Sequence, residues 1–84
     1  MRISFTEAAW EDYLYWQSTD KRMLKRLNEL IRAVQRDPFV GIGKPEPLRT
    51  SRSGYWSRRI DEEHRLVYYI EGEAVIIAQC RFHY

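Results

Sequence analysis

Residues 55–82 read YWSRRIDEEHRLVYYIEGEAVIIAQCRF, and this stretch sets the fold. Tyr55–Ile60, His64–Ile70 and Ala74–Phe82 are dense in aromatic and β-branched residues, which suit strands packed on one side. Asp61-Glu62-Glu63 and Glu71-Gly72-Glu73 are short polar connections of the kind that close hairpins. The stretch therefore predicts an antiparallel meander of three strands. Strand alternation then assigns the faces. Leu66, Tyr68 and Ile70 share one face, as do Ile76, Ala78, Cys80 and Phe82, and both sets are apolar enough to receive helices. Arg65, Val67 and Tyr69, with Val75, Ile77, Gln79, Arg81 and His83, fall on the opposite, open faces.

Upstream, residues 38–54 hold all three prolines and three of the four glycines and show no apolar period, which predicts a loop. Loops of this length in a small domain often carry function. Before it, Met23, Leu24, Leu27, Leu30, Ile31 and Val34 form one apolar stripe at helical spacing. Lys21, Arg22, Lys25, Arg26, Arg32 and Arg36 cover the rest of that helix, and Asp37-Pro38 ends it. Ser18-Thr19-Asp20 breaks the chain and caps this second helix. A first helix is expected over about residues 7–17, with Thr6 as N-cap, Glu7 in the first turn, and Trp10, Tyr13, Leu14 and Gln17 at helical spacing. Arg2-Ile3-Ser4-Phe5 alternates like a short strand. The order β-α-α-β-β-β implies an α+β fold, with both helices on one face of an antiparallel sheet and residues 1–84 in a single domain.

Composition narrows the function classes. The 84 residues include three Trp, six Tyr and three Phe, enough large side chains for a core and too many for a disordered tail. No window approaches the ~20 apolar residues of a membrane span, and Met1 leads into Arg-Ile-Ser-Phe without the apolar run of a secretory signal. Cys80 is the sole cysteine, so no internal disulfide forms; a reducing, cytoplasmic setting is expected. Net charge is only +2, yet arginine outnumbers lysine eleven to three. A guanidinium fork matches phosphate bidentately where an ammonium does not, so the bias favours a polyanion partner.

The open face supplies candidate chemistry. Antiparallel strands bring the start of the middle strand near the end of the last, so Arg65 and His83 could lie close, with Arg59 joining from the preceding strand. Glu46 sits between Pro45 and Pro47, whose fixed φ angles restrict the backbone and hold one carboxylate at a defined height. Cleaving RNA through its 2′-hydroxyl requires a base, an acid for the leaving 5′-oxygen, and positive charge at the phosphate. Glu46 suits the base, His83 the acid and Arg65 the phosphate clamp. Tyr84 could stack on a base or orient the phosphate, and Tyr55 or Trp56 could stack as well. Lys44, Arg49, Arg59 and Arg81 are the further cations assigned to RNA. One Cys and two His at no zinc spacing supply no metal-ligand cluster, and neither metal nor cofactor is expected.

Plainer readings stand beside these. Glu46 reads equally as a solvated loop carboxylate, His83 as a frayed terminus, and Arg65 as the surface partner of Glu62 or Glu63. His64 reads as structural, because alternation puts it opposite Arg65. Cys80 reads as an inert core thiol.

Several blocks in order resemble the YoeB branch of the RelE/ParE toxin superfamily. They are Asp12-Tyr13-Leu14-Tyr15-Trp16-Gln17, Thr19-Asp20-Lys21-Arg22, Gly43-Lys44-Pro45-Glu46-Pro47-Leu48, Ser53-Gly54-Tyr55-Trp56-Ser57-Arg58-Arg59-Ile60, Glu63-His64-Arg65-Leu66-Val67-Tyr68 and Cys80-Arg81-Phe82-His83-Tyr84. The resemblance implies a ribosome-dependent mRNA endoribonuclease of microbial-ribonuclease-like fold, held inactive by an antitoxin of the YefM kind. It implies Glu46 as general base, Arg65 as phosphate stabiliser, His83 as general acid, and a required Tyr84. It also implies a homodimer that docks in the ribosomal A site, where cations meet rRNA and mRNA phosphates. Arg49 stands where that family shows lysine, and Phe82 where it shows tyrosine. A ParE-like gyrase inhibitor would share the fold without the acid–base set. A non-catalytic RNA- or protein-binding module would leave the Pro-Glu-Pro loop and the His-Tyr terminus without a reason.

Overall fold

The structure, a computed structural model, describes residues 1–49 and 54–82. Its elements are β1 (Arg2–Phe5), α1 (Glu7–Thr19), α2 (Lys21–Arg36), β2 (Glu46–Pro47), β3 (Trp56–Arg59), β4 (Arg65–Glu71) and β5 (Ala74–Gln79). The α+β layout with its C-terminal meander matches the expectation. Two features extend it. The loop contributes the two-residue strand β2, and β1 pairs parallel with β5, so the five-stranded sheet is mixed, in the order β1-β5-β4-β3-β2.

Local chemistry sets the helix limits. Thr6 is extended, and its hydroxyl accepts the Ala9 N–H at 3.1 Å, satisfying a donor that the first turn leaves open. Asp20 is the single joint between the helices. Its N–H closes α1 onto the Trp16 carbonyl at 3.0 Å, and its Oδ1 accepts the Arg22 and Met23 N–H groups at 3.1 Å each, capping α2. Asp37 closes α2 before Pro38.

The core lies between the helices and one face of the sheet. From α2 it takes the fully buried Leu27, Leu30 and Val34, each worth roughly 1.5–3 kcal/mol relative to exposure. Met23, Leu24 and Ile31 pack against them, so the whole predicted stripe faces inward. On α1 the inward residues are Ala9 and Trp16, with Tyr13 beside them, rather than the set built on Trp10, Leu14 and Gln17. Trp10 stays 46% exposed and stacks on Tyr13 with ring centroids 5.5 Å apart. The Trp16 indole N–H finds a buried acceptor, the Cys80 carbonyl, at 2.8 Å.

The facing of β5 differs from simple alternation. Val75, Ile77 and Cys80 are fully buried in the core, while Ile76 and Ala78 are only partly covered. The cause is a bulge: Tyr68 pairs with Ile77 and Val67 with Gln79, which leaves Ala78 unpaired. One extra residue resets the parity, so Ile77 and Cys80 both point inward although three positions apart. The freed Ala78 carbonyl accepts the Thr6 hydroxyl at 3.2 Å. On β4 the expected inward residues Leu66, Tyr68 and Ile70 do line the core.

The loop after α2 is fastened from below by Arg58. This β3 residue is fully buried, and its guanidinium donates to the carbonyls of Asp37 (2.6 Å), Val40 (3.1 Å) and Ile42 (3.0 Å) and to the Tyr68 hydroxyl (3.1 Å). The Tyr68 hydroxyl in turn donates to the Pro38 carbonyl at 2.6 Å. Burial raises the Tyr68 pKa from its ordinary value of 10.0, a shift that the Arg58 hydrogen bond opposes. Among the described residues, no helix is long and apolar enough to cross a membrane.

Candidate active site

The sheet register builds the site on the face away from the helices. Glu46, Ser57, Val67 and Gln79 are successive cross-strand partners and form one row over β2, β3, β4 and β5. Arg59 and Arg65 are partners two residues along β3 and β4, the next pair on the same face. Directly opposed like charges repel, so this pair calls for a counter-charge. Glu46 supplies it: Arg65 Nη1 lies 3.4 Å from Glu46 Oε1 and 3.4 Å from Ser57 Oγ. The Glu46 side chain keeps 55% exposure and the Arg65 side chain 23%. A carboxylate that can take a proton thus touches a cation fork, with water or ligand access to both.

The chain around Glu46 is stitched to β3 at both ends. The Arg59 N–H donates to the Gly43 carbonyl at 2.7 Å, and the Leu48 N–H to the Tyr55 carbonyl at 2.9 Å. Gly43 has φ +85°, and a Cβ there would stand 2.6 Å from Leu30 Cδ2, so only glycine lets the loop approach α2 this closely. The exposed Lys44 and Arg49 flank Glu46 in sequence, and Arg59 is exposed beside the pair. The local balance is therefore strongly positive. Tyr55 packs its ring against Tyr69, centroids 4.7 Å apart.

The end of the described chain reaches the same strand. The Arg65 N–H donates to the Phe82 carbonyl at 2.9 Å, and the Phe82 N–H donates to His64 Nδ1 at 2.6 Å. His83 and Tyr84 lie outside the described residues. His64 is buried against Trp16, ring centroids 4.7 Å apart, on the helix side as alternation implies. Its Nε2 stands 3.4 Å from Glu63, so neither Glu62 nor Glu63 is the described ion-pair partner of Arg65.

Arg81 does not join Arg65 on the open face. Its guanidinium lies over the Tyr15 ring of α1 at 3.5 Å and over Phe82 at 4.6 Å, where the chain has already left β5, which ends at Gln79. Its Nε is buried without a hydrogen-bond partner among the described residues. Sequence reasoning missed Ser57, Arg58 and the Phe82 contact of His64, none of which carries a mark in a single sequence. Among the described residues, no three His, Cys, Asp or Glu converge as a metal-ligand set.

Residues 5–84 match the family described as YoeB-like toxin of bacterial type II toxin-antitoxin system, and the chain belongs to that family. It is 62% identical over 84 residues to a toxin YoeB from Synechocystis, covering all of this chain and 98% of that protein. It superposes on the YoeB dimer from Staphylococcus aureus with TM-score 0.92 at 47% identity, covering 100% of this chain and 98% of that one. A YoeB-YefM complex from the same organism matches with TM-score 0.90 at 46% identity and the same coverage.

Proposed function

We propose that this toxin is a ribosome-dependent mRNA endoribonuclease, with residues 1–84 acting as one catalytic domain in the cytoplasm. The observation that carries the reading is the Glu46–Arg65 contact at 3.4 Å on an accessible, positively charged sheet face. In the proposed reaction Glu46 takes the proton of an RNA 2′-hydroxyl, and the 2′-oxygen attacks the adjacent phosphorus. Arg65, with its planar fork, stabilises the charge that builds on the non-bridging oxygens. The P–O5′ bond breaks as His83 donates a proton to the leaving oxygen, which yields a 2′,3′-cyclic phosphate and a 5′-hydroxyl. Tyr84 orients the phosphate.

Lys44, Arg49 and Arg59, with Tyr55, would hold mRNA and rRNA in the ribosomal A site. The YoeB-YefM complex and the YoeB dimer of the relatives support a YefM-like antitoxin and a homodimer for this chain. An acidic antitoxin segment that folds on binding would neutralise the same cations.

The test uses purified protein and a defined mRNA on initiated ribosomes, with Glu46→Gln and His83→Ala alongside. A cut at an A-site codon with a 2′,3′-cyclic or 3′-phosphate end, lost in both variants, is the expected result. Intact mRNA despite growth arrest would turn the reading toward gyrase inhibition or non-catalytic binding.

A further inference from the structure

We infer that His64 is a positioning residue: its imidazole fixes the path by which the chain enters the C-terminal His83-Tyr84 pair. The inference rests on the ribonuclease reading for its effect on cleavage, and on the described geometry for the tether itself. Phe82 is held on both sides by consecutive residues, its N–H by His64 Nδ1 at 2.6 Å and its carbonyl by the Arg65 N–H at 2.9 Å. Between these two bonds Phe82 has φ +62°, a left-handed conformation that a residue with a side chain disfavours. Its ring is 50% exposed, so deep burial of the side chain does not account for that conformation. The two hydrogen bonds do, and they turn the chain sharply at Phe82.

The imidazole is itself well fixed. It is 8% exposed and meets the Trp16 ring edge-on, and the His64 N–H donates to Asp61 Oδ1 at 2.7 Å. The His64 carbonyl accepts from the Ile60 N–H at 2.9 Å. Accepting a backbone N–H requires Nδ1 to carry no proton, so the ring proton sits on Nε2, the nitrogen that stands 3.4 Å from Glu63 Oε1. Glu63 thereby selects the tautomer that can hold Phe82. A general acid gains its effectiveness from placement, and a displacement of about 1 Å can cost on the order of a hundredfold in rate.

Three chains separate positioning from simple packing. His64→Leu fills the space without an acceptor. His64→Asn puts Oδ1 where Nδ1 stood. In the third, phenyllactate replaces Phe82 in a synthetic tail ligated at Cys80, so an ester removes the N–H and leaves the His64 side chain as it is. Nitrogen-15 spectra should show an unprotonated Nδ1 in the wild type, with a Phe82 amide protected from exchange. On the ribosome assay, His64→Leu and the ester should each lose about tenfold or more in kcat with KM nearly unchanged, and His64→Asn should recover most of it. Wild-type kcat in folded His64→Leu, or a proton on Nδ1, would overturn the inference. An inactive wild type, or a fully active His83→Ala, would instead overturn the ribonuclease reading and the catalytic effect with it. Protection of the Phe82 amide would then still report on the tether.

Discussion

Arg65 reaches across β3 to meet Glu46, so one guanidinium contacts β2 and β3 while rooted in β4. An exposed pair of this kind contributes only about 0–1 kcal/mol to stability, so its place in the fold does not explain its presence. Glu46→Gln should therefore unfold in urea within about 1 kcal/mol of wild type while mRNA cleavage falls by at least about a hundredfold. A variant that cleaves normally would remove Glu46 from the chemistry.

Arg65→Lys keeps the charge and loses the fork. We expect a drop of roughly ten- to a hundredfold in kcat/KM. Unchanged kinetics would mean that Arg65 acts as a point charge alone.

Arg58 presents the opposite case, a cation whose work is structural. Arg58→Met would leave the carbonyls of Asp37, Val40 and Ile42 without their donor. Stability should fall by about 3 kcal/mol or more, and amides of residues 37–43 should exchange faster. A loss below about 1 kcal/mol would show that water replaces the guanidinium freely.

Gly43 and Gly72 both have positive φ, but only Gly43 faces a neighbour, Leu30, within contact range. Gly72→Ala should cost about 1 kcal/mol from backbone conformation alone. Gly43→Ala should cost about 1–3 kcal/mol more and displace Leu30. Chemical denaturation of the two variants side by side checks the difference.

Burial pushes the Cys80 thiol up to about 12 from 9.0, with Asp12 adding to the rise. The unfolded thiol therefore ionises first. The stability contribution is complete below pH 9 and declines, by about 1.4 kcal/mol per unit, until the folded thiol ionises near 12. Cys80→Ala should flatten this decline between pH 9 and 10. At pH 8 an aromatic disulfide reagent should label Cys80 only as fast as the protein opens.

The sequence was legible where one local signal decides the outcome. The stripe from Met23 to Val34 and the caps Thr6 and Asp20 stand as read, because spacing and side-chain acceptors act within a turn or two. The partner of β1 was not legible, since parallel pairing with β5 is settled by tertiary packing. The facing of β5 was misread because a single unpaired residue, Ala78, reverses alternation without any glycine to mark it. Arg81 lies beyond the end of β5, where alternation no longer sets the facing, and packs on Tyr15 instead. At the candidate site, the chemistry of Glu46 and Arg65 was readable from residue type, and their contact follows from the β2–β3–β4 register. Arg58 could not be recognised as buried, because its acceptors are backbone carbonyls of a loop and carry no residue identity.

The parallel pairing of β1 with β5 also orders events during synthesis. Arg2 has to wait for Ala74 before its strand has a neighbour, and the Thr6 hydroxyl waits for its second partner, the Ala78 carbonyl. Until then the emerging chain consists of two helices with an uncovered apolar stripe and a meander without its edge. Contacts this distant in sequence form late, so no fragment that stops before β5 should fold. A chain that stops short of β5 therefore lacks the strand that joins the N-terminal β1 to the face carrying Glu46 and Arg65.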